Sequence, residues 1–305
     1  HWVSGRLSVL YSNGNSPSVK HYNPVQSPNR SIKVDQAYIT IANFDKTPYF
    51  IQAGQTYLPF GHYRRYPITQ TLTQVLSQTN LPAIQLGFVT SNGFYGSFYG
   101  LSGETKLHHS NHTSINNGGF SLGYSNMTHP LGFDLGVAYL MNMSDVNSVR
   151  HVIKQNKGYT RAVGASSLYM DIYAGPFGFG GRYLMANRRF SVNDYAYNTN
   201  TNTKKGARPY AAGLNADYNF KTLHHNSQLR LGYQWSSEAH NSATGVALDD
   251  ATRLPKKRFV VTYGVNLFKH LATVLQLYRD YDYGKSHGGT GKQDDVATLR
   301  LSLMF

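Results

Sequence analysis

Residues 210–235 contain the pattern that decides the fold, and they read YAAGLNADYNFKTLHHNSQLRLGYQW. On both sides of a central polar turn, apolar or small side chains occupy every second position, and polar residues or glycine fill most of the others. The alternating positions are Tyr210, Ala212, Leu214, Ala216, Tyr218 and Phe220 before the turn, and Leu229, Leu231, Tyr233 and Trp235 after it. Successive side chains of a strand point to opposite faces. The stretch therefore predicts a β-hairpin with one apolar and one polar face.

The same alternation extends over the whole chain of 305 residues. It is clearest in residues 3–11, 133–141, 259–267 and 297–305. Further strands are predicted at residues 32–43, 49–58, 82–90, 94–102, 118–126, 161–173, 177–187 and 271–281. With the hairpin above, these segments give fourteen strands, and sixteen is the alternative count. We therefore expect an all-β protein in which residues 1–305 form a single domain.

The links between the predicted strands alternate between short and long. The short links are residues 43–48, 91–93, 127–132, 174–176, 221–226 and 268–270, all rich in turn-forming residues. The long polar links are residues 12–31, 59–81, 103–117, 142–160, 188–208, 236–257 and 282–295. Tight turns at one end and long loops at the other are typical of a closed antiparallel transmembrane barrel with short periplasmic turns and long extracellular loops.

The composition excludes several other classes of protein. Only 14% of the residues are charged, which argues against disorder, and a mean hydropathy of -0.42 argues against a helical membrane bundle. The apolar runs are far shorter than the roughly 20 residues that a spanning helix needs. The chain has no cysteine, which excludes disulfides, thiol nucleophiles and cysteine-based metal centres. A water-soluble β protein and a transmembrane barrel remain.

Two observations favour the barrel in a membrane. A closed sheet of fourteen strands encloses a space too wide for side chains to fill, so its inner face must be polar and its outer face apolar. Aromatic residues of the apolar parity also collect near strand ends, as expected at the two membrane interfaces. Near the short turns these are Phe88, Phe94, Phe133, Phe177, Phe220 and Phe305, and toward the long loops they are Tyr11, Tyr57, Tyr139, Tyr183, Tyr210 and Trp235.

One helix is predicted in the long link between strands 3 and 4. The apolar residues of Ile68-Thr-Gln-Thr-Leu-Thr-Gln-Val-Leu-Ser-Gln78 are spaced at i, i+4, i+7 and i+8. The loop either folds inward and narrows the pore or caps its mouth from outside. His62, Arg64 and Arg65 would bring positive charge to the constriction in the first case and to the surface in the second.

Strand parity sorts the charged side chains of the wall. The residues predicted to face the pore are Arg6, Arg161, Arg182, Arg230, Arg258, Arg300, Asp134, Asp171 and Asp217. With Arg64 and Arg65 they are the candidate pore-lining and solute-binding residues. Because arginines dominate this set and the net charge is +14, we expect a preference for anions. The alternative is that the arginines pair with Asp171 and Asp217 and only hold the wall rigid.

Signals for catalysis or cofactor binding are weak. The 13 histidines are scattered and show no metal-ligand spacing such as HExxH. His108, His109 and His112 could bind a metal, but solvated loop histidines are far more common. We therefore expect no enzyme, no cofactor and no metal site, although a Ser-His-Asp hydrolase remains open without geometry.

The segment Gln55-Thr-Tyr-Leu-Pro-Phe-Gly61, the predicted helix, Ala83-Ile-Gln-Leu-Gly-Phe88 and Gly93-Phe-Tyr-Gly-Ser-Phe-Tyr-Gly100 resemble the LbtU-like siderophore porins of Gram-negative bacteria. The resemblance implies an outer-membrane barrel that admits a ferric siderophore or related solute without an internal plug. Members of that family often carry an N-terminal periplasmic extension, whereas this sequence starts at the first strand. Acidic residues usual around the loop helix are Thr and Gln here.

The predicted function is passive uptake of small, preferentially anionic solutes through an outer-membrane porin, with a ferric siderophore as a candidate. The alternative is a surface adhesin that transports nothing. Expected partners are outer-membrane lipid, lipopolysaccharide and the solute, but not nucleic acid. The expected state is a monomer or a homotrimer.

Overall fold

The computed structural model describes residues 2–12, 31–62, 68–108, 115–127, 130–201, 203–240, 243–244, 252–268 and 271–303. In chain order the strands are β1 (Val3–Ser12), β2 (Ser31–Ala42), β3 (Tyr49–Tyr57), β4 (Asn80–Val89), β5 (Phe94–Leu101), β6 (Asn117–Asn126), β7 (Leu131–Leu140), β8 (Ala165–Ala174), β9 (Phe177–Ala186), β10 (Ala196–Asn198), β11 (Lys204–Gly206), β12 (Tyr210–Thr222), β13 (His225–Ser237), β14 (Ala243–Thr244), β15 (Thr252–Arg253), β16 (Lys257–Phe268), β17 (Leu271–Tyr281) and β18 (Gln293–Leu303).

Fourteen of these strands form one antiparallel sheet, which confirms the predicted all-β class and the strand number. Their order in the sheet follows the chain, from β1 to β9 and then β12, β13, β16, β17 and β18. Every neighbouring pair is antiparallel, as in the register that matches Asp217 of β12 with Arg230 of β13. Among the described residues, β1 is paired only with β2, and β18 only with β17.

The apolar face of the sheet is exposed and the polar face is buried, which is the reverse of a water-soluble protein. Large apolar side chains of one parity are open to the surroundings: the exposed fraction is 71% for Leu7, 57% for Leu214 and 62% for Leu299. On the other parity polar side chains are buried, among them Asp171 and Asp217. The alternation therefore places an apolar surface outside and a polar surface on the side where the loops pack.

The connections have the predicted alternation of length. The turns at one end contain from two residues, 223–224, to six residues, 43–48. Leu223 and His224 both have positive φ, 47° and 71°, which a two-residue hairpin of matching twist requires. The described loops at the other end are much longer and contain further secondary structure.

The predicted helix is present as α1 (Leu72–Ser77), and the side chain of Thr71 caps it by accepting a hydrogen bond from the Gln74 backbone N–H at 3.2 Å. The second helix, α2 (Asn147–Gln155), was not predicted from the sequence. A short 3-10 turn at Met143–Asp145 precedes it. Neither of these helices, nor any other helix among the described residues, is long and apolar enough to cross a membrane.

An apolar core lies at the long-loop end of the sheet. It joins the two helices to the loop-side ends of several strands. Its fully buried members include Leu58, Phe60, Leu72, Leu76, Leu101, Leu140, Met143, Val149, Ile153, Leu184 and Ala186. Because the helices are too short to be stable alone, their folding depends on this core.

Candidate functional site

The loop between β3 and β4 lies across the polar face of the sheet and reaches strands far along the order. The backbone N–H groups of Ile68 and Thr69 donate to Gln276 Oε1 in β17, at 2.5 and 3.3 Å. Gln276 Nε2 in turn donates to Thr69 Oγ1 at 2.5 Å. The predicted loop is thus fixed by a side chain that is itself fully buried.

Further anchors hold α1 and the residues before it. The Leu72 N–H donates to Gln234 Oε1 in β13 at 2.8 Å. Arg258 in β16 donates to the carbonyl oxygen of Gln70 at 3.0 Å, and Ser148 in α2 donates to the Val75 carbonyl oxygen at 2.7 Å. A loop that leaves β3 and returns to β4 can bind β13, β16 and β17 only if the sheet curls around it. The described part of this loop therefore lies against the polar face of the sheet.

Three of the predicted arginines form a row of ion pairs with carboxylates on the polar face. Arg182 Nη2 lies 2.9 Å from Asp171 Oδ2 across β9 and β8. Arg230 binds both carboxylate oxygens of Asp217, and Arg258 binds those of Asp280 at 2.6 and 2.7 Å. The pairing that we considered as the alternative role is therefore what the geometry shows for these side chains.

Sequence reasoning missed Asp280, although its parity in β17 is that of the polar Gln276 and opposite to that of the exposed Leu275 and Leu277. Extending the parity argument to every charged residue of this strand would have found it.

The remaining predicted site residues do not join this row. Arg6 and Arg300 are exposed on β1 and β18. The placement of Arg161 in a strand was wrong: β8 begins at Ala165, so parity does not apply to Arg161, and its side chain donates to the Arg189 carbonyl oxygen at 3.0 Å. Arg64 and Arg65 lie outside the described residues.

His62 brings the loop to the wall at a second point. Its Nε2 lies 3.8 Å from Asp134 Oδ2 in β7 and 4.0 Å from Asp171 Oδ2 in β8. Its ring stacks on Tyr169, with centroids 4.1 Å apart and planes inclined by 18°. The predicted pore-lining residue Asp134 also accepts a hydrogen bond from the Tyr95 hydroxyl at 2.6 Å. The sequence indicated only a positive charge at His62, because its partners come from two separate strands.

A cavity between the loop and the wall connects these features. It is lined by His62, Thr71, Thr73, Arg182, Gly213, Leu214, Asn215, Arg230, Gly232, Gln234 and Val260. Hydroxyl, amide, imidazole and guanidinium groups thus face one space. Such a lining can exchange hydrogen bonds with a polar solute, and the adjacent carboxylates moderate its positive charge.

Basic residues dominate the long loops at the mouth. In the described loops these are Lys106, Arg150, Lys154, Lys157, Arg161, Arg188, Arg189, Lys204, Lys205, Arg208, Lys256, Lys285 and Lys292, against Glu104, Asp145, Asp194, Glu238 and Asp282. Burial would raise the pKa of Glu238, but hydrogen bonds from Arg189, the Arg208 backbone and Lys205 outweigh it and hold that pKa below its usual range. Glu238 is thus kept ionised and fixes three basic residues around it.

A porin-like fold is what the fourteen-stranded antiparallel sheet forms. The fold is similar to that of the outer membrane channel DcaP of Acinetobacter baumannii, with a TM-score of 0.58 and 12% identity over 99% of this chain and 80% of that one. It is also similar to Salmonella typhi OmpF in complex with daunomycin, with a TM-score of 0.56 and 12% identity over 98% of this chain and 86% of that one. The anion-selective porin from Comamonas acidovorans is similar with a TM-score of 0.52 and 12% identity, over 90% of this chain and 79% of that one. At such identities the likeness shows the fold alone.

Relatives in sequence are UPF0422 proteins. The one from Coxiella burnetii is 29% identical over 324 residues, covering 100% of this chain and 63% of its own length. The one from Legionella pneumophila strain Philadelphia 1 is 22% identical over 307 residues, covering 91% of this chain and 54% of its own length. The chain thus spans only part of the length of these relatives. No family model matches the chain, and the resemblance to LbtU-like siderophore porins stays a prediction.

Proposed function

We propose that the fourteen strands close into a single barrel domain in the bacterial outer membrane and that this barrel is a passive channel for small polar solutes, with no catalytic reaction. One observation carries the proposal. The loop between β3 and β4 crosses the polar face and is hydrogen-bonded to Gln234, Arg258 and Gln276 on distant strands. In a closed barrel, this loop narrows the lumen.

The exposed apolar face supports placement in a membrane. Leu7, Leu214 and Leu299 are all more than half exposed, and water would leave this surface without a partner, whereas lipid satisfies it. Outer-membrane lipid and lipopolysaccharide would then surround the barrel, which would act as a monomer or a homotrimer. The fold shared with outer-membrane channels agrees with this placement.

The preference for anions belongs to the mouth more than to the wall. Arg182, Arg230 and Arg258 are each matched by a carboxylate, whereas the described loops carry a clear excess of lysine and arginine. A positive entrance raises the local concentration of anions, and salt screens the effect. A ferric siderophore with carboxylate groups is a candidate solute, because guanidinium groups bind carboxylates with two hydrogen bonds.

Single-channel recording in planar bilayers tests the proposal. Replacing residues 68–78 by a short Gly-Ser linker should raise the conductance, because it removes the loop from the lumen. Shortening the tip of the β10–β11 hairpin at residues 199–203 is the control and should leave it unchanged. A salt gradient should give a reversal potential of anion preference. A folded protein with no conductance, even after removal of the loop, would contradict the channel.

A second candidate function is a surface interaction protein whose lumen carries no solute. The observation that favours it is the apolar core at the loop end, where Leu72, Val149 and Ile153 are almost completely buried. A core of this kind holds the loops rigid enough to present a binding surface. The same recording separates the two, because a barrel closed by this core gives no stable open level.

A further inference from the structure

Three side chains of the types that bind transition metals meet where the loop between β3 and β4 contacts strands β7 and β8. The available nitrogen or oxygen atoms of His62, Asp134 and Asp171 all lie within 4.8 Å of one another. We infer that these three residues bind a divalent ion of the zinc class, which joins the loop between β3 and β4 to strands β7 and β8. This inference does not rest on conduction of a solute.

The charges of the cluster favour a cation. Asp134 and Asp171 bring two carboxylates, and Arg182 is the guanidinium that lies against them, 2.9 Å from Asp171 Oδ2. Counted over these four described side chains alone, one negative charge remains when His62 is neutral. A neutral imidazole is a ligand and not a counter-charge, so a divalent ion can use all three side chains together.

Metal binding needs the ligand atoms to approach by about 0.4–0.6 Å at His62 Nε2, and by at most about 1.4 Å for any pair of the cluster. Bonds of about 2.0–2.2 Å to nitrogen and oxygen place tetrahedral ligand atoms about 3.4 Å apart. The distances from His62 Nε2 to the two carboxylates are 3.8 and 4.0 Å. His62 lies in a loop and Asp134 and Asp171 in neighbouring strands, so the imidazole can approach without a change in the sheet.

Surrounding groups already orient the ligands. The Tyr95 hydroxyl donates to Asp134 Oδ1, the atom opposite the one that faces His62. Arg182 donates to Asp171 Oδ2, which leaves the buried Oδ1 of that carboxylate for the ion, and Tyr169 stacks on the imidazole ring. Outer partners of this kind fix ligand orientation in metal sites, and their loss typically costs 10–100-fold in affinity.

The neighbouring strand leaves room for one of the ligands. A Cβ atom at Gly180 would stand 2.6 Å from Asp171 Oδ1. Glycine at this position therefore allows the carboxylate to lie against the wall, where Asp171 is only 1% exposed. A larger residue would push the carboxylate out of the cluster.

The donor set selects the metal. Imidazole with two carboxylates suits zinc, manganese or iron(II), whereas magnesium prefers oxygen ligands and keeps its water. Zinc is the practical probe because it has no redox chemistry. The site would be one of several elements that fix the loop, together with Gln234 and Gln276.

Titration calorimetry with ZnCl₂ on the folded full chain in detergent tests this inference. The wild type should bind one equivalent of zinc. His62→Gln should bind zinc at least 10-fold more weakly. His287→Gln is the matched control, because His287 also lies in a loop, is half-buried, and contacts Ser286 and Tyr197. Its zinc affinity should stay within about twofold of the wild type, as expected for a residue outside the site.

Asp134→Asn is a second test variant, and it leaves the Arg182–Asp171 pair in place. It should also lower the zinc affinity at least 10-fold. A hundredfold excess of MgCl₂ should not displace the zinc. Equal zinc affinity in wild type, His62→Gln and Asp134→Asn would overturn the site, and so would a loss in His287→Gln as large as the loss in His62→Gln. Because conduction is recorded separately with a chelator present, failure of the metal site leaves the channel proposal intact.

Discussion

The Arg230–Asp217 pair carries opposite charges on one patch of the polar face, with side chains only 11% and 4% exposed. Removing one charge leaves the other facing the pore, so the two single changes should act in opposite directions. Asp217→Asn should shift the reversal potential toward anions, and Arg230→Gln should shift it toward cations, each measured in planar bilayers under a salt gradient.

The control for these two variants is Asp295→Asn, which disrupts the exposed pair with Arg279 on the outer face. It should leave the reversal potential unchanged. A shift of the same sign in Asp217→Asn and Arg230→Gln would show that the wall charges do not set selectivity.

Adjacent residues of β1 test which face meets lipid. Leu7 is 71% exposed on the apolar face in the middle of the strand, and Ser8 follows it on the polar face. An arginine facing the bilayer midplane costs about 2–4 kcal/mol, and one facing the lumen costs little. Leu7→Arg should therefore lower the free energy of unfolding in lipid vesicles by about that amount, as measured by urea titration, whereas Ser8→Arg should change it by less than about 1 kcal/mol. Similar losses in both variants would contradict the assignment of faces.

At the residue scale, the sequence predicted the site in part. Parity placed Arg182, Arg230 and Arg258 on the polar face, because one alternation runs unbroken through each of their strands. It failed for Arg161, because the strand begins four residues later, at Ala165. It also gave no sign that His62 meets Asp134 and Asp171: these two are direct cross-strand partners in β7 and β8, but the loop that carries His62 reaches them only in the folded chain.

At the element scale, all fourteen strands were predictable. Each has an apolar face that must be covered along its full length, and this requirement imposes a period of two on the sequence. The helix α2 was missed although its apolar residues Val149, Val152 and Ile153 are spaced at i, i+3 and i+4, because its polar surroundings made residues 142–160 look like a link. The two-stranded hairpins β10–β11 and β14–β15 are too short to show alternation at all.

Helix α2 should depend on the apolar core more than on its own sequence. Val149 is fully buried and Val152 is only partly buried, and both are valines of the same helix. Val149→Ala should lower the free energy of local opening by about 2 kcal/mol, because it removes two buried methyl groups and leaves a cavity. Val152→Ala should lower it by less than about 1 kcal/mol. Native-state hydrogen exchange of the α2 amides measures both, and equal effects would place the helix outside the core.

At the scale of the whole molecule, apolar surface is covered in two separate ways. In the proposed membrane placement lipid would cover the outer face of the sheet, and the loops bury their own apolar side chains, such as Phe60, Leu72 and Ile153, against the ends of the strands. The polar wall lies between these two regions, with its ion pairs and the cavity beside α1. If the proposed channel is correct, the wall and the internally packed mouth are stabilised independently, so we expect that changes at the mouth alter conduction without unfolding the sheet.

Closure of the barrel requires β1 and β18 to be neighbours, and the chain offers a direct test because it contains no cysteine. Arg6→Cys in β1 is combined in turn with Thr298→Cys, Arg300→Cys or Ser302→Cys, which share one parity in β18. A disulfide needs Cβ atoms about 3.5–4.5 Å apart, so one register of this scan should give an intramolecular link on oxidation if the strands pair. Gel mobility of the oxidised, unfolded chain reports the link. Arg6→Cys with Gln228→Cys on β13, across the lumen, is the control and should give none. If no pair of the scan links while the folded protein still conducts, the pore is closed in some way other than by β1 and β18.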